Sequence, residues 1–207
     1  MSLYTPAHFA GSNAEDALAL IRAWPFATLV TSSSEGGEPH ISHLPILLEG
    51  EGAAANLVGH MARANPHWQA FDRGHTTAIF HGPHAYISPN WYVDPAREVP
   101  TWNYATVHVH GRPVLMDARD TKLAQLDTTA AAFEPHENPW RRKVEGQRLE
   151  AMLCNIVAFH IPLTKVEAKF KLNQNRTSAD RAQVMARLRE QNHPELAAMA
   201  ALMQAYD

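Results

Sequence analysis

Two short segments of this 207-residue chain place cationic and amide side chains at the ends of apolar strands. They read VGHMARANPHW, with His60, Arg63 and Asn65, and KFKLNQNR, with Lys171, Gln174, Asn175 and Arg176. An arginine fork suits a phosphate, and amide side chains supply the donors and acceptors that recognise the edge of a heterocycle. A bound anion would explain this placement, but ordinary solvated strand ends would explain it equally well.

The thirteen histidines raise the question of a metal site. His40 and His43 are three residues apart on a predicted strand and so lie on opposite faces, whereas His108 and His110 share a face. No carboxylate or thiolate cluster accompanies either pair. The single cysteine, Cys154, lies in the apolar stretch MLCNIVAF, which predicts a core position. The sequence predicts no dedicated metal site, and histidines hydrogen-bonded at a surface or interface are the favoured explanation.

The segment from His81 to Tyr104 is rich in aromatic residues and prolines. Its rings are those of Tyr86, Trp91, Tyr92, Trp102 and Tyr104. Flat rings on a proline-restrained backbone make good walls for a planar ligand. The same rings could fill a core or a dimer interface, and composition alone favours that alternative.

Familiar catalytic motifs are missing from the sequence. It contains no G-x-S-x-G elbow, no H-E-x-x-H, no P-loop and no G-x-G-x-x-G after a strand. We therefore expect any chemistry to come from a cofactor, and the residues leave open whether the protein is an enzyme.

The elements that must position these side chains follow from hydrophobic periodicity. AEDALALIRAW has helical spacing and ends at Pro25, with Ser12 and Glu15 forming a capping box. About six strands are predicted, from FATLVTS, PHISHLPILL, AANLVGHM, TTAIFHG, TWNYATVHVHGRPVLM and NIVAFHIPLTKVEAKFKL. The proline-rich GPHAYISPNWYVDPAREVP is predicted as a loop or broken strand, because each proline removes a hydrogen-bond donor from a ladder.

Helices account for much of the second half of the chain. Residues 118–152 are predicted as helices interrupted at 134–139, and residues 178–191 and 194–205 as two Ala-rich helices, the first N-capped by Ser178. The predicted fold class is mainly β with flanking α-helices (α+β), built on a small antiparallel barrel.

The whole chain is predicted to be a single domain, residues 1–207, with the C-terminal helices of residues 178–205 packed on the barrel or on a partner subunit. A net charge of -3 and a pI near 6.5 give direct DNA binding little support. One cysteine cannot close an intrachain disulfide, and the N-terminus does not resemble a signal peptide, so we expect a cytoplasmic protein. No apolar run approaches the roughly 20 residues that span a membrane.

Several long blocks resemble the PaiB family, the FMN-binding negative transcriptional regulators. They are YTPAHF, PFATLVT, SHLPILL, GHMARANPHW, IFHGPHAYISPNWY, VPTWNYATVHVHG and KFKLNQNR, and they extend from Tyr4 to about Val184. The family resembles the pyridoxamine-phosphate-oxidase-like flavoproteins. The resemblance therefore implies an FMN-binding split β-barrel that forms a homodimer, with FMN in the cleft between subunits.

The resemblance also assigns residues to the cofactor site. On the phosphate side it implies His60, Ala62 and Arg63, with Asn65 capping the following helix, and beside the isoalloxazine ring Ser42, His43 and Leu44. Further contacts are implied for Trp102 and Asn103, and for Lys171, Gln174 and Asn175 reaching across the dimer. The last block differs from the family's more typical K-L-S-Q-N in having Asn173 at the serine position.

Three functions follow from this resemblance. The first is an FMN-dependent flavoprotein, either an oxidoreductase or a redox-linked regulator. The second is a transcriptional regulator that acts on DNA or on a partner protein, although the C-terminal helices mix arginines with acidic residues and show no helix-turn-helix pattern. The third is a haem-binding or haem-degrading protein, because some split-barrel relatives bind haem and this chain is rich in histidine.

Overall fold

The computed structural model describes residues 3–10, 14–33, 36–52, 55–134 and 143–206. The chain divides into two compact units. The first comprises Met1–Ala23, His81–His108 and Glu167–Asp207, and the second comprises Trp24–Phe80 and Val109–Val166.

The described ranges contain eight strands and five α-helices. The strands are β1 (Phe26–Thr31), β2 (His40–Glu49), β3 (Asn56–Ala62), β4 (Thr76–Ile87), β5 (Thr101–Gly111), β6 (Val114–Met116), β7 (Ile156–Pro162) and β8 (Lys165–Lys171). The helices are α1 (Ala14–Ala23), α2 (Arg119–Phe133), α3 (Gly146–Cys154), α4 (Ser178–Glu190) and α5 (Pro194–Ala205).

The second unit contains most of the sheet, in the strand order β6-β7-β3-β2-β1-β4. Strand β1 pairs antiparallel with both of its neighbours, and Leu29 lies opposite Ser42 on one side and Ala78 on the other. Side chains of β1 alternate between buried and more exposed, as expected for a strand with one face in the core. Ile46, Leu57 and Phe159 are fully buried and belong to the core of this unit.

The first unit contains part of β4 and most of β5 and β8, in that order, together with α1, α4 and α5. The buried Arg181 of α4 donates from Nη2 to the carbonyl oxygens of Met203 and Tyr206, both at 3.0 Å. These carbonyls lie at the C-terminal end of helix α5, where Met203 O also accepts from the backbone N–H of Tyr206 at 3.3 Å, and a guanidinium there complements the helix dipole. Arg181 therefore ties the two C-terminal helices together.

The expectation of about six strands was wrong, because eight are present in the described residues. Strand β4 continues to Ile87, into the first six residues of the segment predicted as a loop or broken strand, whereas residues 88–100 of that segment form no strand. Its alternating burial changes phase at the consecutive buried residues Gly82 and Pro83, as at a β-bulge, where a proline needs no ladder partner. The last predicted strand is two strands, β7 and β8, separated at Leu163–Thr164 where Thr164 N donates to Pro162 O at 2.9 Å.

The helices follow the sequence closely except at their ends. Residues 119–133 are helical as predicted, and the second C-terminal helix begins and ends at the predicted residues. Helix α3 ends at Cys154, two residues beyond the predicted end, and the described residues 143–145 precede it although they were predicted to be helical. The N-cap of α4 is Thr177 and not Ser178: Thr177 Oγ1 accepts from Asp180 N at 3.1 Å. Ser12 of the predicted capping box and residues 135–139 of the predicted helix break lie outside the described residues.

The predicted core position of Cys154 was also wrong, because its side chain is exposed. Cys154 is the last residue of α3, whose buried stripe is formed by Leu149 and Leu153, four residues apart. One residue further along, the helix has turned by about 100°, which directs the thiol away from the core.

Candidate functional site

Arg63, which follows β3, is held by several groups of its own unit. Its Nε donates to Cys154 O at 2.9 Å, and its Nη2 donates to Asp117 Oδ1 at 2.7 Å and to Ile156 O at 3.1 Å. The guanidinium also lies 5.9 Å from the ring centre of Trp68. The backbone and the acid thus fix the direction of a half-exposed cationic side chain.

Two cations share the Asp117 carboxylate at this place. Lys122 Nζ of α2 lies 2.6 Å from Asp117 Oδ1, and the side chain of Lys122 is buried. The hydrogen bond from Lys122, followed by that from Arg63, lowers the pKa of Asp117. With Asp117 ionised, these three residues have a net charge of +1, which favours an anion near the end of β3.

His60 and Ala62 lie on the same strand as this cluster but in different surroundings. His60 lines a cavity of about 330 Å³ beside α2 and α3, with Leu126, Phe133 and Met152 among its walls. Burial lowers the pKa of His60, so the imidazole is neutral at pH 7. Ala62 is exposed at the end of the strand and pairs with Ile156 of β7.

Ser42 and Asn65 meet in a buried hydrogen-bonded group. Asn65 Nδ2 donates to Ser42 Oγ at 2.9 Å, and Asn65 Oδ1 accepts from the backbone N–H of His67 at 3.0 Å. Asn65 thereby caps a short 3-10 turn at residues 66–70, which agrees with the predicted capping role. Ser42 Oγ also lies 2.8 Å from His67 Nδ1, and His67 Nε2 lies 2.8 Å from Thr31 Oγ1.

His43 and Leu44 follow Ser42 on β2 and are more accessible. His43 is exposed, its Nδ1 lies 3.2 Å from Thr28 Oγ1, and its ring stacks against Phe26 with centroids 6.4 Å apart. Phe26 is 64% exposed, so this edge presents a flat apolar surface next to imidazole. Leu44 is half-buried and pairs with Ala27 of β1.

In the first unit, Trp102 and Asn103 occupy opposite faces of β5. Trp102 is 51% exposed and lines a groove of about 350 Å³ with Tyr104, His84 and other residues of β4 and β5. Asn103 is fully buried, its Nδ2 donates to Met203 Sδ at 3.4 Å, and its Oδ1 has no hydrogen-bond partner among the described residues. Of the two, Trp102 is therefore the side chain available to a ligand in the groove.

The side chains of the KFKLNQNR segment bond either to strand β5 or to the backbone of their own turn. Lys171 Nζ donates to Trp102 O at 2.6 Å and to Thr101 Oγ1. Gln174 Oε1 accepts from Leu172 N at 2.8 Å, and its Nε2 donates to Phe170 O at 2.5 Å. Burial, and then the neighbouring cations Lys169 and Arg176, lower the pKa of Lys171.

The end of the same segment contains one exposed and one buried asparagine. Asn175 is exposed. Asn173, which departs from the family pattern, has φ of 63° and donates from Nδ2 to Tyr92 Oη at 3.0 Å. Asparagine tolerates this left-handed conformation better than serine does, so the backbone explains the departure.

The sequence analysis did not identify His67, Thr31 and Thr76, which are hydrogen-bonded in a row with Ser42. It also did not identify Asp117 and Lys122, which lie beside Arg63. For Thr31 a signal existed, because it alternates with Ala27 and Leu29 and so belongs on the apolar face of β1. Asp117 meets Arg63 only through long-range folding, and Lys122 joins them through Asp117. Nothing in the local sequence of Asp117 or Lys122 indicates this. Across the ranges that the structure describes, no three histidine, cysteine or acidic side chains lie close enough to hold a metal ion.

Comparison with known sequences shows the family to which the chain is related. A family model described as "Putative FMN-binding domain" matches residues 3–165. The Bacillus subtilis protein named protease synthase and sporulation protein PAI 2 is 35% identical over 207 residues, covering 98% of this chain and 97% of that protein.

Two solved structures share the fold at low sequence identity. The flavocytochrome Anf3 from Azotobacter vinelandii has a TM-score of 0.64 and 17% identity, covering 82% of this chain and 70% of that one. The FAD and heme binding protein from Mycobacterium smegmatis has a TM-score of 0.62 and 14% identity, covering 83% and 78% of the two chains. No helix in the described part of the chain is long and apolar enough to cross a membrane.

Proposed function

This chain belongs to the PaiB-type family of FMN-binding proteins with the split-barrel fold, and from that premise we propose that it works as a homodimer that holds FMN at the subunit interface. The observation that supports an anionic cofactor most directly is the net positive cluster of Arg63, Asp117 and Lys122 at the end of β3. A flavin phosphate carries close to two negative charges, and a pre-oriented guanidinium recognises phosphate well. The residues present therefore fit the cofactor.

In the proposed site, the phosphate lies against the end of β3. Arg63 supplies the charge and Ala62 leaves room at the strand end, while neutral His60 offers a hydrogen bond without adding charge. Asn65 holds the turn that follows. Because Asp117 already engages Arg63, it fixes the guanidinium in place before the anion arrives.

We propose that the flavin ring lies along β2, beside Ser42, His43 and Leu44. We also propose cofactor contacts for two residues of β5, the exposed Trp102 and the buried Asn103. Lys171, Gln174 and Asn175 come from the second copy. Bound FMN supplies electron transfer, while these side chains bind it, orient it and exclude water.

An accessible aromatic surface supports the homodimer. Trp102 and Tyr86 are 51% and 46% exposed, and their rings contact edge to face with centroids 6.4 Å apart. Exposed aromatic residues in a group are typical of an interface centre. A second copy would cover them and bring a second set of polar strand ends to the flavin.

The first experiment is the visible absorption spectrum of the purified protein, followed by titration of the apo form with FMN. We expect flavin bands, or quenching of flavin fluorescence with about micromolar affinity. Arg63→Ala should weaken binding about ten- to a hundredfold, because a charge-assisted hydrogen bond to the phosphate is lost.

Arg119→Ala is the matched control for Arg63→Ala. Arg119 is also a half-exposed arginine of the second unit, and it pairs with Glu150 on the surface. FMN affinity should be unchanged in this variant. If the two variants bind FMN with equal affinity, Arg63 does not bind the phosphate. If the unaltered protein does not bind FMN, the proposed function is wrong.

Two further measurements separate the remaining functions. A sharp Soret band on haem addition, without flavin binding, would favour the haem-binding alternative. Salt-dependent, sequence-specific retardation of DNA would favour a direct regulator, although the net charge of -3 per copy doubles in a dimer and opposes it. We place the protein in the cytoplasm, as its single cysteine suggests.

A further inference from the structure

A chain of buried side chains connects Ser42 to Thr76 through His67. Ser42 Oγ lies 2.8 Å from His67 Nδ1, His67 Nε2 lies 2.8 Å from Thr31 Oγ1, and Thr31 Oγ1 lies 2.8 Å from Thr76 Oγ1. All four residues belong to the second unit and none is more than 6% exposed. We call them the Ser42–Thr76 chain.

Asn65 determines the direction of one hydrogen bond at the Ser42 end of the Ser42–Thr76 chain. Its Oδ1 accepts from a backbone N–H, so its Nδ2 is the atom that faces Ser42 and donates to Ser42 Oγ. The serine oxygen then has one hydrogen and one lone pair left for its other partners. Which of the two faces His67 depends on the imidazole tautomer.

Two arrangements of the chain satisfy every contact. With the proton on Nε2, Ser42 donates to Nδ1, Nε2–H donates to Thr31, and Thr31 donates to Thr76. With the proton on Nδ1, that N–H donates to Ser42, Thr31 donates to Nε2, and Thr76 donates to Thr31. Both contain the same number of protons, because one ring proton has changed nitrogen and the hydroxyl groups have rotated.

The two arrangements differ in what Ser42 offers to a ligand. In the first, the serine hydroxyl is used internally and its remaining lone pair can only accept. In the second, its hydrogen is available and can donate to an acceptor. The burial of the chain keeps both arrangements uncharged: burial and then nearby His40 lower the pKa of His67 to about 4.

We propose that His67 is a positioning residue that sets the Ser42 hydroxyl as donor or acceptor toward the flavin by switching between its two neutral tautomers. The proposal rests on the proposed placement of Ser42 beside the isoalloxazine ring. Ser42 is the suitable end of the chain, because at 6% it is the most exposed member, whereas Thr31 at 0% is sealed in the core. A flavin edge that accepts a hydrogen bond favours the Nδ1–H tautomer, in which Ser42 donates. If that edge becomes a donor on reduction, it favours the Nε2–H tautomer, in which Ser42 accepts.

The direct test is the ¹⁵N NMR spectrum of the His67 imidazole, whose nitrogen shifts and proton couplings identify the tautomer. It is recorded for the apo protein, for the protein with oxidised FMN, and after reduction with dithionite. We expect the ratio of the two tautomers to change on FMN binding and to change again on reduction. An identical ratio in all three states would overturn the proposal.

Thr76→Val tests the coupling along the chain without flavin. Valine has nearly the shape of threonine but can neither accept from Thr31 nor donate to it, so both arrangements lose a contact. With the proton on Nε2 the loss leaves the buried O–H of Thr31 without an acceptor, whereas with the proton on Nδ1 it leaves only a lone pair without a donor. A buried donor without a partner is the costlier of the two, which disfavours the arrangement with the proton on Nε2. The apo protein should therefore shift toward the Nδ1–H tautomer. An unchanged ratio would show that the far end of the chain has no influence on His67, and it too would count against the proposal.

His67→Gln and His67→Asn form a matched pair for the flavin side. The glutamine amide reaches the position of Nε2 and keeps the Thr31 contact, whereas the asparagine amide reaches that of Nδ1 and keeps the Ser42 contact. The flavin absorption maximum and midpoint potential should move in His67→Gln as they do in Ser42→Ala, and should move less in His67→Asn. A purely structural His67 would lower stability in both variants and leave the flavin properties alone.

The outcomes distinguish this inference from the function on which it rests. If apo protein fails to quench FMN fluorescence, the proposed function fails and the inference fails with it. If FMN binds but the tautomer ratio and the flavin properties do not respond, only the inference fails.

Discussion

His67 shows how the environment changes the properties of a single residue. It follows Pro66 in a segment where the sequence indicated a polar strand end, yet its side chain is only 2% exposed. Both ring nitrogens have hydroxyl partners, which compensates for the burial of a polar group. Burial still disfavours the protonated, charged form of the ring.

The stability of the protein should fall on acidification because of His67. Its folded pKa of about 4 lies below its unfolded value of 6.5, so between these pH values the unfolded chain binds more protons. The contribution is fully present above pH 6.5 and is lost as the pH falls to 4, amounting to about 3 kcal/mol. Urea unfolding of the wild type and of His67→Asn over this range measures the difference in slope.

His75→Asn is the control for this comparison. His75 is exposed and uses its backbone to bond Ser32, so its replacement should leave the pH profile of the wild type intact. Parallel profiles for wild type and His67→Asn would show that His67 does not carry the pH dependence.

At the scale of elements, the beginning of α4 shows where local sequence is ambiguous. Thr177 and Ser178 are both good N-cap residues, and Ser178 was the predicted cap. In the structure Thr177 caps the helix, and its hydroxyl also donates to Asp180 Oδ2 at 2.7 Å. Asp180 Oδ1 in turn accepts from Val93 N at 2.9 Å, which anchors the proline-rich segment to the helix. The long-range contact selects between two equivalent local candidates.

Thr177→Ala should destabilise the protein by about 1 kcal/mol, because a capped N–H loses its partner and Asp180 loses a donor. Ser178→Ala, one residue later, should change the free energy of unfolding by less than about 0.5 kcal/mol. Urea unfolding of both variants decides between the two caps. A larger effect for Ser178→Ala would return the cap to the predicted position.

Strands were predicted well where they alternate and less well where they contain prolines. The faces of β5 are as predicted: Asn103, Ala105, Val107 and Val109 are buried, and the opposite residues, apart from buried Thr106, are more accessible. The continuation of β4 past Pro83 could not be read from the sequence. A bulge lets a proline remain in a strand, and bulges depend on tertiary packing rather than on local propensity.

At the scale of the whole molecule, the main prediction is the dimer. Trp102→Glu places a charge among the exposed aromatic residues of β4 and β5, which should oppose self-association. We expect the unaltered protein to have the mass of a dimer in light scattering, and the variant to shift toward monomer and bind FMN more weakly.

Val99→Glu is the control for Trp102→Glu, because Val99 is 64% exposed and lies outside the groove. It should leave both the mass and FMN affinity unchanged. A monomeric unaltered protein that still binds FMN tightly would contradict the interface location of the cofactor.

The sequence by itself determined the family, the fold class, the strand alternation and most helix boundaries. These properties depend on periodicity and on long motif blocks, which local physical chemistry and resemblance can recognise. Cofactor contacts by individual residues remain predictions.

Only the tertiary structure decided the partners of those residues. Arg63 meets Asp117, which is far away in the chain, and His67 connects Ser42 with Thr31 and Thr76 across three strands and a turn. Hydrogen bonds of this kind are short-ranged and directional, so they form only when folding brings distant segments to within about 3 Å.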